Sequence, residues 1–355
     1  MKLIKILGSS IFQIVSLIFV LGYLLGVVNL YFSDKNNYCL MTYMFEYPQF
    51  FCVFLTHGII KYCLLFITFC FFRFDGVPVL FLPGNCGSHM QARSLASVAL
   101  RKALSKGYSY HFDFFTISYN EELSGLYGGV LHSQTQFASV CIAKILSLYK
   151  SNKYTKSVPN SVILIGHSMV SYFYFTKLPV ASFITINTTS IAITLAAPLE
   201  APVINMDLAM NNYYMEMNFE WNTFVYKDEE IKKRKMLISF GNGPRDVLMP
   251  SGLTSSHDSY MNTTAVPGVW ASPDHVCIVW CKQLVMVINR YLFSIISTET
   301  EQLVDDGRVL MDRAKQYFQV GISNLIRPHH LLWCFISSHI TFLIILFYEL
   351  SLAQH

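Results

Sequence analysis

The run Ile165-Gly166-His167-Ser168-Met169-Val170 sets a serine two residues after a glycine. It is most of a G-x-S-x-G pattern, in which a serine at a strained strand-to-helix turn presents its hydroxyl at the top of a sheet. A serine hydroxyl attacks esters only when a base takes its proton and an acid orients that base. In proteins with this turn the acid and then the histidine follow the serine along the chain. Asp246 lies just past the turn Gly241-Asn242-Gly243-Pro244, and His275 ends the loop Trp270-Ala271-Ser272-Pro273-Asp274. Order and spacing therefore predict Ser168 as nucleophile, His275 as base and Asp246 as orienting acid, with His257 and Asp258 as a rival pair. The anion formed on an attacked carbonyl needs two backbone N–H donors. Met169, directly after the serine, is one candidate. Asn85, within Pro83-Gly84-Asn85-Cys86-Gly87-Ser88, is the other. The second glycine of the pattern is replaced by Val170, whose β-branched side chain crowds such a turn.

Elements that hold such groups alternate along the middle of the chain. Strands are predicted over Pro78–Leu82, Phe112–Ile117, Ser161–Ile165, Ala192–Leu195 and Met236–Phe240. These are continuous apolar runs, as in a parallel sheet covered on both faces. Helices are predicted over Gln91–Lys106, Gln134–Tyr149 and Val276–Phe293. Strand–helix alternation with a nucleophile turn implies an α/β class, specifically an α/β-hydrolase fold with a mainly parallel sheet.

Composition adds a membrane. The chain of 355 residues is 53% hydrophobic and only 14% charged, against about a quarter in ordinary soluble domains. Its net charge of +4 comes with no basic stripe, so nucleic acid is not an expected partner. Ile6–Phe32 is long enough for an uncleaved transmembrane anchor, and Lys2 and Lys5 before it favour a cytoplasmic N-terminus, with the remainder lumenal. Leu331–Tyr348 is a second candidate span. Phe51–Phe72 has the same length but carries His57 and Lys61; it either spans, lies on the bilayer or packs on the domain. The 9 cysteines show no metal-ligand spacing, and most are expected to be buried small hydrophobes. Asn187-Thr188-Thr189 and Asn262-Thr263-Thr264 are glycosylation triplets, in keeping with a lumenal face.

Several long strings carry a resemblance. Val79 to Ser88 with Gln91, Arg93 and Ser94, Phe112 to Phe115 with Asn120 to Leu123, Leu126 to Gly129, and Asp274 to Leu284 resemble the GPI inositol-deacylases, lipase-like α/β-hydrolases. Met41 to Pro48 is similar to the segment after that family's first membrane helix. The resemblance implies an enzyme of the endoplasmic-reticulum membrane with a lumenal catalytic domain and no metal or cofactor. Its substrate would be the acyl ester on the inositol of GPI-anchored proteins. The family's motif residues fall on Ser168, Asp246 and His275. The expected organisation is an anchor over 1–34, a lumenal connector with a hydrophobic insertion over 35–76, the catalytic domain over 77–300, and a tail over 301–355 with the candidate span at 331–348. Departures are Val170-Ser171 in place of the family's Gly-Gly, Pro198-Leu199 in place of Pro-His, and a missing multi-span C-terminal region. Phe51–Phe72, Val170–Lys177 and Leu331–His355 are candidates for translated intron sequence. Two other readings compete: a different membrane-associated lipase or esterase, and a homologue silenced by Val170.

Overall fold

The computed structural model describes residues 13–26, 28, 38–42, 48–53, 61–68, 73–169, 190–205, 207–220, 236–255 and 259–319. Two units separate, Met1–Asn37 and Tyr38–His355. The first contains a helix over 13–26 whose side chains are exposed. Among the described residues no helix is long and apolar enough to cross a membrane. The candidate span at 331–348, the second half of the nucleophile pattern from Val170, the triplet at Asn187 and the rival pair His257–Asp258 all lie outside the described residues.

The second unit is built on one sheet of eight strands: β1 (Gln49–Val53), β2 (Cys63–Thr68), β3 (Val77–Leu82), β4 (Phe112–Ser118), β5 (Ile163–His167), β6 (Ile191–Leu195), β7 (Met236–Gly241) and β8 (Tyr260–Asn262). They lie in the order β1-β2-β4-β3-β5-β6-β7-β8. β1 with β2 and β2 with β4 are antiparallel, and every other pair is parallel. The alternation of a strand sends successive side chains to opposite faces, and here it divides the core in two. Val79, Phe81, Phe114, Ile163 and Ile165 face one apolar cluster. Leu80, Leu82, Phe115, Ile117 and Leu164 face the other. Both faces are covered, which is why these runs carry no polar alternation.

Helices α1 (Arg93–Lys106), α4 (Lys282–Ser294) and α5 (Gly307–Phe318) cover the first face, whereas α2 (Gly128–Ser151) and α3 (Leu208–Glu220) cover the second. α1 ends at Gly107, whose φ of 63° lets its N–H bond Ala103 O and Leu104 O. α5 begins at Asp306, whose carboxylate accepts from Arg308 N.

Three expectations change. The stretch Phe51–Phe72, set aside within the 35–76 connector, supplies all of β2 and most of β1, so the sheet starts well before residue 77. Leu64 and Phe66 of this stretch face a protein core, buried against Phe115 and Ile117. Lys61 lies at the turn into β2 and pairs with Glu122, so it needs no bilayer. Of this stretch, residues 51–53 and 61–68 are described, and they belong to the sheet or its turn. The helix expected from Val276 starts at Lys282. A short 3-10 turn, Cys277–Val279, precedes it because the Asp274 carboxylate takes the Val276 and Cys277 N–H groups. Cysteines also pair more than their type implied. Cys39 is bonded to Cys281 and Cys52 to Cys63, while Cys141 and Cys277 are buried thiols and Cys86 is an exposed one.

Candidate active site

β5 sits between β3 and β6, so its carboxyl end opens at the middle of the sheet, beside the point where strand order reverses. Ligand sites in open parallel sheets form at such points. Ser168 follows immediately, with a φ of 57°. A non-glycine residue in this left-handed region is strained, and here the strain lifts the hydroxyl off the strand axis. The neighbouring loop is fitted to that turn. A Cβ built on Gly84 would lie 2.4 Å from Ser168 Cβ and 2.5 Å from His167 O. Only glycine lets the Pro83–Gly87 loop approach so closely.

The acid and the base arrive from the loops after β7 and β8. His275 Nε2 is 3.0 Å from Ser168 Oγ, and His275 Nδ1 is 3.0 Å from Asp246 Oδ2. The Asp246 side chain has no exposure and that of His275 only 14%. Asp246 Oδ1 accepts from Leu248 N at 3.1 Å and Met249 N at 2.8 Å, and Oδ2 accepts from Asn242 Nδ2 at 2.6 Å. With Asp246 acting only as acceptor, His275 Nδ1 carries the hydrogen and Nε2 is left to accept from Ser168. Ser168, His275 and Asp246, read separately from the sequence, thus meet in one hydrogen-bonded relay. Met169 follows the serine and is buried, while Asn85 stands exposed on the Gly84 loop beside the same turn. The Asn85 side chain accepts from Gly125 N at 2.8 Å, which ties that loop to the one after β4.

Three residues of the site carry no motif. Asn242 is buried and donates to both Asp246 Oδ2 and, at 3.3 Å, the Asp274 carbonyl. Ser272 Oγ donates to Asn242 O at 2.9 Å and accepts from Arg245 N at 3.3 Å. Together they stitch the acid's loop to the histidine's loop. In the sequence Asn242 is one residue of a Gly-Asn-Gly-Pro turn, and Ser272 has no distinguishing signal. His167 is the third. Its Nε2 lies 2.8 Å from the His275 carbonyl oxygen, so it donates there and Nδ1 is left without a partner among the described residues. Complete burial, followed by the nearby His275 ring, pushes the His167 pKa down to about 4. It is a neutral strut under the histidine's backbone.

A second titratable cluster lies at the other end of the sheet. His111 Nε2 stands 3.5 Å from Asp75 Oδ1 and 3.2 Å from Asp113 Oδ1. Asp113 Oδ2 is occupied by Gly76 N and the Tyr149 hydroxyl at 2.9 and 2.6 Å. Burial opposes the His111 charge, but the hydrogen bond and charge of Asp113, with Asp75 and Glu301, outweigh it and raise the pKa. The cluster reads as an ion pair that ties the amino ends of β3 and β4.

A buried sheet of this order, a strained serine after its fifth strand and a serine–histidine–aspartate relay define an α/β-hydrolase with a serine nucleophile. A family model described as a PGAP1-like alpha/beta domain matches residues 73–295. A GPI inositol-deacylase of Xenopus laevis is 39% identical over 328 residues, covering 87% of this chain and 34% of that protein. The Rattus norvegicus protein of the same name is 36% identical over 312 residues, covering 83% and 33%. That of Drosophila melanogaster is 34% identical over 352 residues, covering 86% and 34%. The chain belongs to the PGAP1-like family, and it spans about a third of the length of these curated relatives.

Proposed function

We propose that the chain is a GPI inositol-deacylase, removing the fatty acyl ester from the inositol of GPI-anchored proteins. The relay from Asp246 through His275 to Ser168 carries this reading, because it lies within the domain shared with relatives of that name. Ser168 Oγ attacks the acyl carbonyl while His275 Nε2 takes its proton. Asp246 holds the imidazole by Nδ1 and stabilises its charge. The Met169 and Asn85 N–H groups hold the carbonyl oxygen as it becomes an anion. Collapse expels the inositol oxygen, which leaves with the proton from His275. A water deprotonated by the same nitrogen then releases the fatty acid and restores Ser168.

The rim of the site supports a lipid substrate. Loops leaving the carboxyl ends of the parallel strands carry exposed Leu123, Leu126, Tyr127, Val247, Leu248 and Trp270. Isolated apolar residues are ordinary on surfaces, but a rim of them marks a membrane or acyl-chain contact. The two disulfides suit an oxidising compartment. We place the catalytic domain in the endoplasmic-reticulum lumen, held to the bilayer by the N-terminal apolar segment, with 331–348 as a second span.

The test is rescue in cells that lack inositol deacylation. An acyl group on the inositol 2-hydroxyl blocks phosphatidylinositol-specific phospholipase C, so acylated anchors resist release. The unaltered chain is expected to restore release and Ser168→Ala to leave anchors resistant. If the chain reacts with a fluorophosphonate at Ser168 yet anchors stay resistant, the substrate is another ester.

A further inference from the structure

His275 sits in the connection between β8 and α4, outside any strand or α-helix, so no regular ladder fixes its backbone. Two buried side chains do so instead. The carbonyls of Asp274 and His275 are consecutive, and each is taken by a different donor: Asn242 Nδ2 at 3.3 Å and His167 Nε2 at 2.8 Å. A carbonyl only accepts, so both nitrogens carry hydrogens. His167 is the last residue of β5 and directly precedes Ser168. Asn242 follows β7 and also donates to Asp246 Oδ2 at 2.6 Å. The main chain of the base is therefore tied once to the nucleophile's strand and once to the acid's. These two strands flank β6 in the sheet.

Both donors act at a cost to folding. Asn242 is 1% exposed and His167 3%, yet Asn242 Oδ1 and His167 Nδ1 have no partner among the described residues. A buried acceptor left unpaired destabilises a fold, and such exceptions gather where a site requires them. Burial first, then the His275 ring, lowers the His167 pKa to about 4. It therefore donates without setting a second positive charge beside that ring, whose centre is 4.9 Å away. The chemistry at Ser168 needs such tethers. His275 Nε2 must take the serine proton, give it to the leaving oxygen and later draw one from water, while Nδ1 stays on Asp246. With both carbonyls held, the imidazole keeps one origin through all of these transfers.

We propose that His167 and Asn242 are positioning residues for the hydrolysis, holding the His275 backbone within reach of Ser168 without touching the ester. This rests on the serine relay of the proposed function, whichever ester is cleaved. The test is the time course of fluorophosphonate labelling of the full chain in non-ionic detergent, over a range of probe concentrations. The final labelled fraction counts folded sites, and the limiting rate reports the geometry of the relay within them. Asn242→Leu and His167→Leu are each expected to lower the limiting rate about a hundredfold, the cost of about 1 Å of misplacement. The probe concentration that gives half the limiting rate is expected to stay unchanged, because both side chains are buried away from solvent. His167→Gln, whose amide nitrogen extends as far as Nε2, is expected to recover most of the rate. A lowered final fraction with an unaltered limiting rate would overturn the proposal, since the two residues would then serve folding alone. So would a His167→Gln protein labelled no faster than His167→Leu. An unaltered chain that takes up no probe would overturn the serine relay itself, and the proposal with it.

Discussion

Adding one methyl group at Gly84 separates the site's geometry from its chemistry. The new Cβ would meet Ser168 Cβ at 2.4 Å and His167 O at 2.5 Å. Unbonded carbons rest about 3.5–4.0 Å apart. The Gly84 loop and the serine turn must therefore part by about 1 Å. Overpacking of this kind costs about 1–3 kcal/mol of stability, partly offset by about 0.4–1 kcal/mol from the stiffer unfolded chain. Catalysis suffers more, because the Asn85 N–H moves away from the anion that Ser168 creates. A misplacement of about 1 Å costs about a hundredfold in rate, or about 2.7 kcal/mol of barrier. Gly84→Ala is thus expected to melt only slightly early yet to react with a fluorophosphonate about a hundredfold more slowly. Gly252→Ala is the control, since nothing lies within 4 Å of a Cβ there. A Gly84→Ala protein that melts normally and is labelled at the unaltered rate would refute the reasoning, because the loop would then play no part in holding the anion.

Asp246→Asn is expected to lower kcat about ten-thousandfold by placing the wrong tautomer of His275 against Ser168, while circular dichroism stays unchanged; a loss below tenfold would remove Asp246 from the relay. His167 binds protons more readily unfolded, near pH 6.5, than folded, near pH 4. Stability should therefore be fully present above about pH 6.5 and fall by about 3 kcal/mol as pH drops to 4. Urea midpoints of His167→Gln should lose that part of the slope, and identical slopes would show that His167 is not the group responsible. Cys39→Ser/Cys281→Ser opens a link spanning 242 residues, with an expected loss of about 5 kcal/mol on chain entropy. A melting temperature unchanged by the pair would mean that the link does not constrain the unfolded chain.

Sequence reading reached different parts of this molecule unequally. β3, β4, β6 and β7 were legible because each is a short apolar run buried on both faces, bounded by turns. β1 and β2 were not, since Phe, Leu and Ile in a covered sheet have the same hydropathy as in a bilayer. Only the pairing of Leu64 with Ile117 and Phe66 with Phe115 separates the two environments. The relay was legible because its chemistry demands particular residue types in a fixed order. Asn242 and Ser272 were not, because polar turn residues look alike until their partners are known. The Cys39–Cys281 pairing was hidden by its separation along the chain.

That pairing also sets where a pull on the N-terminal segment is felt. Residues 38–42 lie along 280–283: Leu40 N bonds Gln283 Oε1, Lys282 N bonds Leu40 O, and Thr42 N bonds Trp280 O. Tension arriving from the first unit leaves the backbone at Cys39, crosses the sulfur atoms and enters the base of α4, six residues beyond His275. The edge strand β1, paired in the sheet with β2 alone among the described residues, lies beyond that exit and would carry none of the load. Reduction of the bond would shift the tug to this edge strand, so the state of two sulfur atoms decides whether a pull on the N-terminal segment is borne by the middle of the domain or peels it from its edge.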